Sequence, residues 1–261
     1  MTARIQAIGS RDNPLLVQLR KLVADPAGYR KHGAVWIEGE HLCSAFSARA
    51  GSVPHAVITE AAWQVPALRR LAEAAARITI VPHALMAGVS SLESPAPIGF
   101  VVPWVGGARV VADEPTVVLD RLQDAGNVGN ILRSAAAFGF TQIVAMKGTA
   151  ALWSPKVLRA GMGAHFSLRL VEALDAPVLD ALHLPLLATS SHATEAIHEA
   201  ELPWPCAWVL GHEGQGVSAA LMARCRLALR IPQPGGEESL NVASAAAVCL
   251  YESARRRGGA V

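Results

Sequence analysis

The strongest constraint on the fold is the run Thr116-Val117-Val118-Leu119-Asp120, an apolar segment that ends in an acid. Such a run is typical of a parallel strand that is buried on both faces and ends at a polar loop. Similar runs follow at 142–145, 186–189, 207–210 and 227–231, and helical segments fill most of the gaps. The pattern predicts an α/β domain in which helices cover both faces of a parallel sheet. Ligands of such sheets bind at the carboxyl ends of the strands.

Residues 1–103 show a separate series of strand-like runs that alternate with helical stretches. An amphipathic helix is expected after Asn13 and Pro14, and the runs lie at 34–37, 55–59, 78–81 and 98–102. The alternation predicts a small α/β domain of its own. Gly and Pro residues punctuate 104–114 in the manner of a linker, so we expect the second domain to occupy 115–261.

Basic charge is concentrated near the N-terminus. The whole chain has a net charge of +2, whereas residues 1–31 carry six cations against Asp12 and Asp25, a local balance of +4. Such a segment suits contact with phosphate, although a solvated helix face has the same composition. The candidate nucleic-acid contacts are Arg4, Arg11, Arg20, Lys21, Arg30 and Lys31.

Several classes of protein lack support in this sequence. No apolar run reaches the roughly 18 to 20 residues that cross a bilayer, and the first 12 residues lack the apolar core of a signal peptide. We therefore expect a cytoplasmic protein with no membrane partner. His and Cys residues show no metal-ligand spacing, and no Gly-x-Ser-x-Gly motif occurs, so neither a metal site nor a serine hydrolase is predicted.

The first candidate loop follows the run that ends at Asp120. Gly126 and Gly129 permit a tight backbone there, and Asn127 is suited to cap the helix that follows. Arg133 falls in the first turns of that helix, where its side chain can point back toward the strand ends. An ordinary capped helix with a surface arginine is the alternative interpretation.

The second candidate loop, 209–218, contains Gly211, Gly214 and Gly216, with Glu213 as its only acid. Glycines directly after an apolar strand let a ligand approach the backbone closely. The spacing is Gly-x-x-Gly-x-Gly, whereas a dinucleotide-binding loop has Gly-x-Gly-x-x-Gly. His212 is interpreted as a loop residue rather than a base.

The third candidate loop, 229–243, is stiffened by Pro232 and Pro234 and brings Ser239 and Asn241 to the start of a helix. Helix capping is a sufficient explanation for Ser239. The last helix is expected to begin near Leu240, to present the stripe Leu240, Ala243, Ala247, Leu250 and Ala254, and to end at Arg255–Arg257 and Gly258. The three arginines suit the negative end of the helix, and RNA contact is an alternative role.

Because three polar loops follow strands of one sheet, we expect them to form one ligand site. In this order they resemble the three signature motifs of the SpoU/TrmH branch of the SPOUT methyltransferases. The resemblance covers about 115–257 and depends on Asn127 with Arg133, on Gly211-x-Glu213-x-x-Gly216, and on Ile231-Pro232 with Ser239-Leu240-Asn241. Residues 4–103 look like the family's N-terminal substrate-binding domain, which is similar to ribosomal protein L30e.

The resemblance implies a homodimer whose catalytic domain contains a deep C-terminal trefoil knot. It also implies that S-adenosylmethionine binds in the knot, held by the backbone at Gly211, Ile231 and Leu240, with Thr189 nearby. The slim, Ala-rich last helix is compatible with such close packing. One departure concerns 153–165, where Ala160 and Met162 stand at positions at which relatives often have Ser or other small residues.

By the same resemblance the chain methylates a ribose 2′-hydroxyl in RNA, with ribosomal RNA favoured over transfer RNA. Arg133 is the implied catalytic residue. Since a guanidinium with a pKa above about 12 is a reluctant base, we assign it to the target phosphate and the developing alkoxide. Asn127 is implied to position Arg133 or the ribose. Glu213 is implied to orient Asn127, Arg133 or the partner subunit's loop, and Ser239 and Asn241 are implied to shape the pocket floor.

Two alternatives stay open from the sequence. A dinucleotide-dependent oxidoreductase is suggested by the α/β pattern and the Gly-rich turns, although the glycine spacing differs from its fingerprint. A non-catalytic RNA-binding protein would use the N-terminal domain for RNA and the second domain only for dimerisation. The joint presence of Asn127, Arg133, Glu213, Ser239 and Asn241 favours catalysis.

Overall fold

The computed structural model describes residues 4–50, 52–235 and 239–257. The chain divides into two compact units. The N-terminal unit comprises Met1–Gly106 and Trp153–Phe166, and the C-terminal unit comprises Gly107–Leu152 and Ser167–Val261. The first division point lies inside the segment 104–114. Segment 153–166 departs from the contiguous second domain expected from the sequence, because it packs with the N-terminal unit.

A five-stranded mixed sheet forms the centre of the N-terminal unit. Its strands are β1 (Arg4–Ala7), β2 (Ala34–Glu38), β3 (Val53–Thr59), β4 (Ala75–Val81) and β5 (Ile98–Pro103). They lie in the order β1-β4-β3-β5-β2, with β1, β4 and β3 parallel and β5 antiparallel to both β3 and β2. Strands β2 to β5 coincide with the four predicted runs. No apolar pattern predicts β1, because all four of its residues are exposed.

Helices connect these strands. They are α1 (Pro14–Ala24), α2 (Gly28–His32), α3 (Glu40–Ala50), α4 (Glu60–Trp63), α5 (Pro66–Glu73) and α6 (His83–Ala87). Helix α1 begins as predicted, since Asn13 Oδ1 accepts a hydrogen bond from Leu15 N at 3.0 Å and Pro14 stands in the first turn. The buried face of this helix consists of Leu16, Leu19 and Leu22. Burial of each leucine contributes roughly 1.5–3 kcal/mol to folding.

A six-stranded parallel sheet forms the centre of the C-terminal unit. Its strands are β6 (Thr116–Asp120), β7 (Gln142–Met146), β8 (Arg169–Leu174), β9 (Leu186–Thr189), β10 (Ala207–Gly211) and β11 (Leu227–Leu229), in the order β11-β9-β10-β6-β7-β8. All the paired strands are parallel, so the predicted α/β fold with a parallel sheet is confirmed. The strand predicted at 227–231 is shorter, ending at Leu229, and the edge strand β8 has no counterpart among the predicted runs.

Helices cover this sheet, and they include α7 (Ala125–Ala137), α9 (Ala219–Met222) and α10 (Val242–Arg257). Buried residues of β6, β7, β9 and β10 share one hydrophobic core cluster with Leu179, Leu182 and Leu221. Trp208 of β10 is fully buried, and its Nε1 donates a hydrogen bond to Ser253 Oγ of α10 at 2.9 Å. This contact fixes the position of α10 relative to the central strands.

The last helix differs in detail from its prediction. It begins at Val242, so Leu240 precedes it and is 41% exposed. The buried residues are Ala243, Ala246, Cys249, Leu250, Glu252 and Ser253, whereas Ala247 and Ala254 of the predicted stripe are only partly buried. The face is shifted because α10 packs against both α7 and β10. Gly258, expected to stop the helix, lies outside the described residues.

Segment 153–166 contains α8 (Pro155–Gly161), which Ser154 caps through Val157 N. The chain then turns at Met162 and Gly163, both with positive φ. A Cβ on Gly163 would lie 2.9 Å from Ala45 Cβ of α3, and the Phe166 ring packs edge-on against Phe46 at 5.3 Å. These contacts explain why the segment belongs to the N-terminal unit. Over the residues that the structure covers, no helix is long and apolar enough to cross a membrane.

Candidate active site

Three candidate loops meet at one edge of the six-stranded sheet. Gly211 of β10 is in register with Asp120 of β6, so the loops that follow these two strands begin side by side. Parallel strands place all their carboxyl ends at the same edge, and Thr189 ends the neighbouring strand β9. The sequence therefore brings the three loops together as expected.

Glu213 joins the loop after β10 to the loop after β6. Its carboxylate accepts hydrogen bonds from Gln123 N at 3.2 Å, from Asp124 N at 3.0 Å and from Asn127 Nδ2 at 3.3 Å. Partial burial raises the pKa of Glu213, but these donors and its own backbone N–H outweigh burial and hold the pKa below its ordinary value. Glu213 is therefore a carboxylate at neutral pH that organises the loop before α7.

Asn127 and Asn241 extend this network to the third loop. Asn241 Nδ2 donates to Asn127 Oδ1 at 3.0 Å, while Asn127 Nδ2 donates to Glu213. Both atoms of the Asn127 amide are thus used, and the chain Glu213–Asn127–Asn241 links all three loops. We call this chain of three side chains the amide relay.

The structure separates helix capping from the relay. Asp124 caps α7, because its Oδ1 accepts a hydrogen bond from Asn127 N at 2.7 Å, so the expected capping role of Asn127 is wrong. Asn241 caps α10, with its Oδ1 accepting from Ala243 N at 2.9 Å and from Ser244 N at 3.3 Å. Ser239 precedes that cap. Asn127 is therefore left to connect the loops rather than to cap a helix.

Arg133 lies on an exposed face of α7. It lines an open cleft of about 870 Å³, including space open to solvent, together with Asn130, Ser134, Asn241 and Ser244. Within the described ranges, the Arg133 guanidinium has no hydrogen-bond or ion-pair partner in the protein. Neither Asn127 nor Glu213 touches it, so the expected direct positioning of Arg133 by these residues is absent from the described contacts. The structure brings Arg133 near the relay only through Asn241.

A second cleft lies at the ends of β9 and β11. It has a volume of about 460 Å³ including open space, and its lining residues are Thr189, Ser190, Ser191, Ile231, Gln233, Ser239, Leu240 and Ala245. The lining includes Thr189, Ile231 and Leu240, three of the four residues implied as cofactor contacts. It also includes Ser239, which was assigned to the pocket floor.

Gly211 is absent from the lining of this cleft. A Cβ at Gly211 would lie 2.0 Å from Val217 N and 2.1 Å from Gly216 C, both backbone atoms. Its missing side chain therefore lets the loop's own backbone close over it. From the sequence, a glycine here is expected to let a ligand approach the backbone. In the structure, Gly211 is needed because the backbone of the same loop lies against it.

Sequence reasoning missed two features of this edge. Asp120 is buried, accepts a hydrogen bond from Ser218 N at 2.7 Å and pairs with Arg121 Nε at 3.1 Å. Gln233 lines the second cleft, and within the described part of the chain its buried Oε1 has no hydrogen-bond partner. An acid at the end of a buried strand was a signal for Asp120. No signal distinguishes Gln233 in a polar loop.

The six candidate nucleic-acid contacts all lie in the N-terminal unit. Arg20 donates to the carbonyl oxygen of Arg11 at 2.8 Å, and both residues line a cleft of about 420 Å³ with Ala84, Leu85 and Gly88. Arg4 lies on β1, Lys21 is exposed on α1, and Arg30 and Lys31 lie on α2, where Arg30 also stacks over the Tyr29 ring. The structure thus brings Arg11 and Arg20 together.

The arginines at the end of α10 have partners within the C-terminal unit. Arg255 and Arg256 both pair with Glu252, and these contacts hold the pKa of Glu252 below its ordinary value even though burial raises it. Arg256 also donates to the carbonyl oxygens of Ala200 and Ile197. Arg257 lies over the Trp204 ring at 4.8 Å. These contacts within the protein explain the three consecutive arginines without a role in RNA binding.

The fold and the site together define a class of protein. It is an α/β protein with a hydroxyl-lined cleft at the strand ends of its parallel sheet, a cleft between α7 and α10 that Arg133 lines, and a polar relay that connects the three loops. In the described part of the chain, no group of three or more His, Cys, Asp or Glu side chains is placed to hold a metal ion. Residues 114–251 match the SpoU rRNA Methylase family. The chain belongs to that family.

Whole-chain similarities agree with this membership. The chain is 35% identical over 272 aligned residues to an uncharacterized tRNA/rRNA methyltransferase of Synechocystis sp., covering 100% of this chain and 97% of the relative. It is 29% identical over 218 residues to the 23S rRNA (guanosine(2553)-2′-O)-methyltransferase RlmP of Bacillus subtilis, covering 82% and 86%. The crystal structure of the SpoU methyltransferase AviRb from Streptomyces viridochromogenes, in complex with the cofactor AdoMet, is similar with a TM-score of 0.85 and 25% identity, covering 94% of this chain and 98% of that one.

Proposed function

We propose that this enzyme transfers a methyl group from S-adenosylmethionine to a ribose 2′-hydroxyl of ribosomal RNA. The observation that carries the proposal is the amide relay, which joins the three family motifs through hydrogen bonds between their side chains. The 2′-O specificity of the Bacillus relative and the AdoMet bound to the Streptomyces enzyme support it. Ribosomal RNA is preferred because that relative acts on 23S rRNA, while the Synechocystis name includes transfer RNA.

The second cleft fits S-adenosylmethionine as the cofactor. Its lining combines four hydroxyl side chains and one amide with the apolar Ile231, Leu240 and Ala245, and contains no charged side chain. A lining of hydroxyl, amide and apolar groups suits a ligand that joins a polar nucleoside to an aliphatic amino-acid chain. Within the described residues Gln233 Oε1 has no hydrogen-bond partner, so it offers an acceptor for an amino group. Thr189, Ile231 and Leu240 would hold the cofactor, and Gly211 would let the adjacent loop close.

The cofactor supplies an electrophilic methyl group bonded to a sulfonium. In the reaction the 2′-oxygen gains this methyl, and its proton leaves to solvent or to an RNA phosphate. Arg133 is placed to hold the target phosphate and to stabilise the charge that develops on the 2′-oxygen, because its guanidinium is exposed and free of protein partners within the described ranges. Glu213, Asn127 and Asn241 act as positioning residues that set the distance between the loops.

Two finer structural features and the cellular location belong to the proposal. We infer a deep trefoil knot at the C-terminal end, supported by family membership. We infer that the N-terminal unit is an L30e-like substrate-binding domain, which suits its mixed sheet and its exposed cations. Because ribosomal RNA is the substrate, we place the enzyme in the cytoplasm.

We also propose a homodimer through α7 and α10. Tyr251 is 53% exposed on α10, and its ring packs edge-on against Phe138 beside α7 at 5.7 Å. Val248 is another large apolar residue exposed on α10. An apolar face made of two neighbouring helices suits a symmetric interface, because the same face of a second copy can cover it.

A calorimetric titration of the whole protein with S-adenosylhomocysteine and with NAD tests the class of ligand. The proposal expects saturable binding of S-adenosylhomocysteine and none of NAD. Binding of NAD alone would favour an oxidoreductase, and binding of neither would favour a non-catalytic RNA-binding protein. Either result would overturn the proposed function.

A further inference from the structure

The N-terminal unit contains a cavity that the proposed chemistry does not use. Its volume is about 550 Å³ including open space, and its lining residues are Trp36, Glu38, Gly39, His41, Leu42, Ser91, Leu92, Pro155, Leu158, Arg159 and Met162. They come from β2, from the beginning of α3, from the segment before β5 and from α8.

Trp36 forms a fixed, apolar part of the cavity wall. It is only 4% exposed, and its six-membered ring lies so close to Gly99 that a Cβ there would be 2.2 Å from it. The buried indole N–H of Trp36 has no hydrogen-bond partner within the described ranges. Buried indole N–H groups usually find an acceptor, and the described residues supply none for Trp36.

The polar residues of the cavity differ in how many of their hydrogen-bonding groups already have partners in the protein. The Glu38 carboxylate accepts hydrogen bonds from Ser90 Oγ, from Ser91 N at 3.0 Å and from Ser91 Oγ at 3.2 Å, so its charge is held by the protein. The exposed Arg159 makes a single long hydrogen bond of 3.5 Å to Ser91 O within the described residues. Most of the donors of Arg159 therefore stay available at the rim.

Met162 stands at the mouth of the cavity in an unfavourable backbone conformation. Its φ is 48°, in the left-handed region that favours glycine, and its side chain is 43% exposed. This conformation ends α8, of which Met162 is the C-cap, and its flexible thioether adapts to flat apolar surfaces. The departure noted at 153–165 in the sequence thus falls on this rim.

We propose that this cavity binds one unstacked nucleobase of the RNA substrate, an inference that rests on the proposed function. A nucleobase is flat and apolar on its faces and carries acceptor atoms on its edge, which matches the walls and the Trp36 N–H. RNA is recognised by sequence mainly at single-stranded positions, where splayed bases enter pockets and meet aromatic and Arg side chains. The cation Arg159 at the rim and the +4 balance of residues 1–31 complement the attached phosphates.

The whole protein, labelled with 15N at its tryptophan indoles, tests this assignment directly. The chain has six tryptophans, and Trp36→Phe identifies the signal of Trp36. We expect at least one of the four nucleoside 5′-monophosphates to move that signal saturably, and ribose 5-phosphate to leave it in place. An unmoved Trp36 signal, or an equal response to ribose 5-phosphate, would overturn the proposal. Tighter binding of N-acetyl-leucine amide would do the same, because it would indicate a peptide site.

A pair of matched variants adds a second measurement. Arg159→Gln removes a charge at the rim, while Lys156→Gln removes the same charge from an exposed position on α8 that does not line the cavity. We expect Arg159→Gln to weaken nucleotide binding at least fivefold and Lys156→Gln to change it less than twofold. Equal effects of the two variants would contradict a site at the cavity. If S-adenosylhomocysteine binds but no nucleotide moves the Trp36 signal, the proposed nucleobase site is wrong while the proposed methyltransferase function still stands.

Discussion

Asn241 donates a hydrogen bond from Nδ2 to Asn127 Oδ1 at 3.0 Å, and this contact joins the beginning of α10 to the beginning of α7. The same Asn241 side chain caps α10 with its Oδ1. One residue therefore has two separable duties. The cap contributes to stability, and the donated bond sets the relation between two catalytic loops.

Asn241→Asp separates these duties, because a carboxylate keeps the capping acceptor and lacks the donor to Asn127. We expect about a tenfold loss of methyl transfer, equivalent to about 1.4 kcal/mol, with little change in the urea midpoint. Asn241→Ala should lose the activity and also about 1 kcal/mol of stability with the cap. A wild-type single-turnover rate in Asn241→Asp would show that the relay does not position the site.

Gly211→Ala tests the close passage of the backbone. The added Cβ would meet Val217 N and Gly216 C, which are backbone atoms, so the loop that carries Glu213 must shift. We expect a loss of stability of about 1–3 kcal/mol, the usual cost of overpacking, together with weaker binding of S-adenosylhomocysteine. Gly214→Ala is the matched control, since its nearest neighbour would be the His212 ring at 3.9 Å. Equal denaturation curves for the two variants would contradict this explanation of Gly211.

Arg133→Ala should abolish turnover while hardly changing cofactor affinity. Arg133 lines the cleft beside α7 and not the cleft that contains Thr189 and Leu240. Loss of one preorganised cation at a developing oxyanion costs on the order of 3 kcal/mol, or at least roughly a hundredfold in rate. Single-turnover kinetics and calorimetry with S-adenosylhomocysteine measure the two quantities separately. A parallel loss of both would assign Arg133 to cofactor binding instead.

His55 predicts an acid sensitivity of the N-terminal unit. It is 7% exposed and bonded through Nε2 to Thr79 Oγ1 at 2.8 Å, and burial, with a smaller effect of Arg77, lowers its pKa to about 4. In the unfolded chain the pKa of a histidine is about 6.5. The contribution of neutral His55 to the free energy of unfolding is therefore fully present above pH 6.5 and is lost as the pH falls toward 4. The loss should be on the order of 3 kcal/mol by pH 4, measured by urea unfolding. In His55→Gln the free energy of unfolding should depend less on pH between 6.5 and 4. The same pH dependence as in the wild type would contradict the role assigned to His55.

The parallel sheet could be predicted from its apolar runs, because such runs are typical of buried parallel strands. The placement of the loops could be predicted as well, because each polar residue that ends a run marks the carboxyl end of a strand. For the amide relay, the sequence predicts that Glu213, Asn127 and Asn241 lie close together, but it does not predict which atoms form the hydrogen bonds. Asp124 caps α7 rather than Asn127, which lies three residues later, and the position of a cap depends on backbone angles that the sequence pattern does not define. The packing of Phe166 on Phe46 is likewise a long-range contact without a local signal.

The central claim is that the methyl group reaches a ribose oxygen, and the position of the label in the product tests it most directly. Ribosomal RNA from a strain that lacks the gene is incubated with the enzyme and S-adenosylmethionine labelled in its methyl group, then digested to nucleosides and separated. The account predicts that the label elutes with one 2′-O-methylnucleoside and that Arg133→Ala yields none. Label in a base-methylated nucleoside would contradict the account.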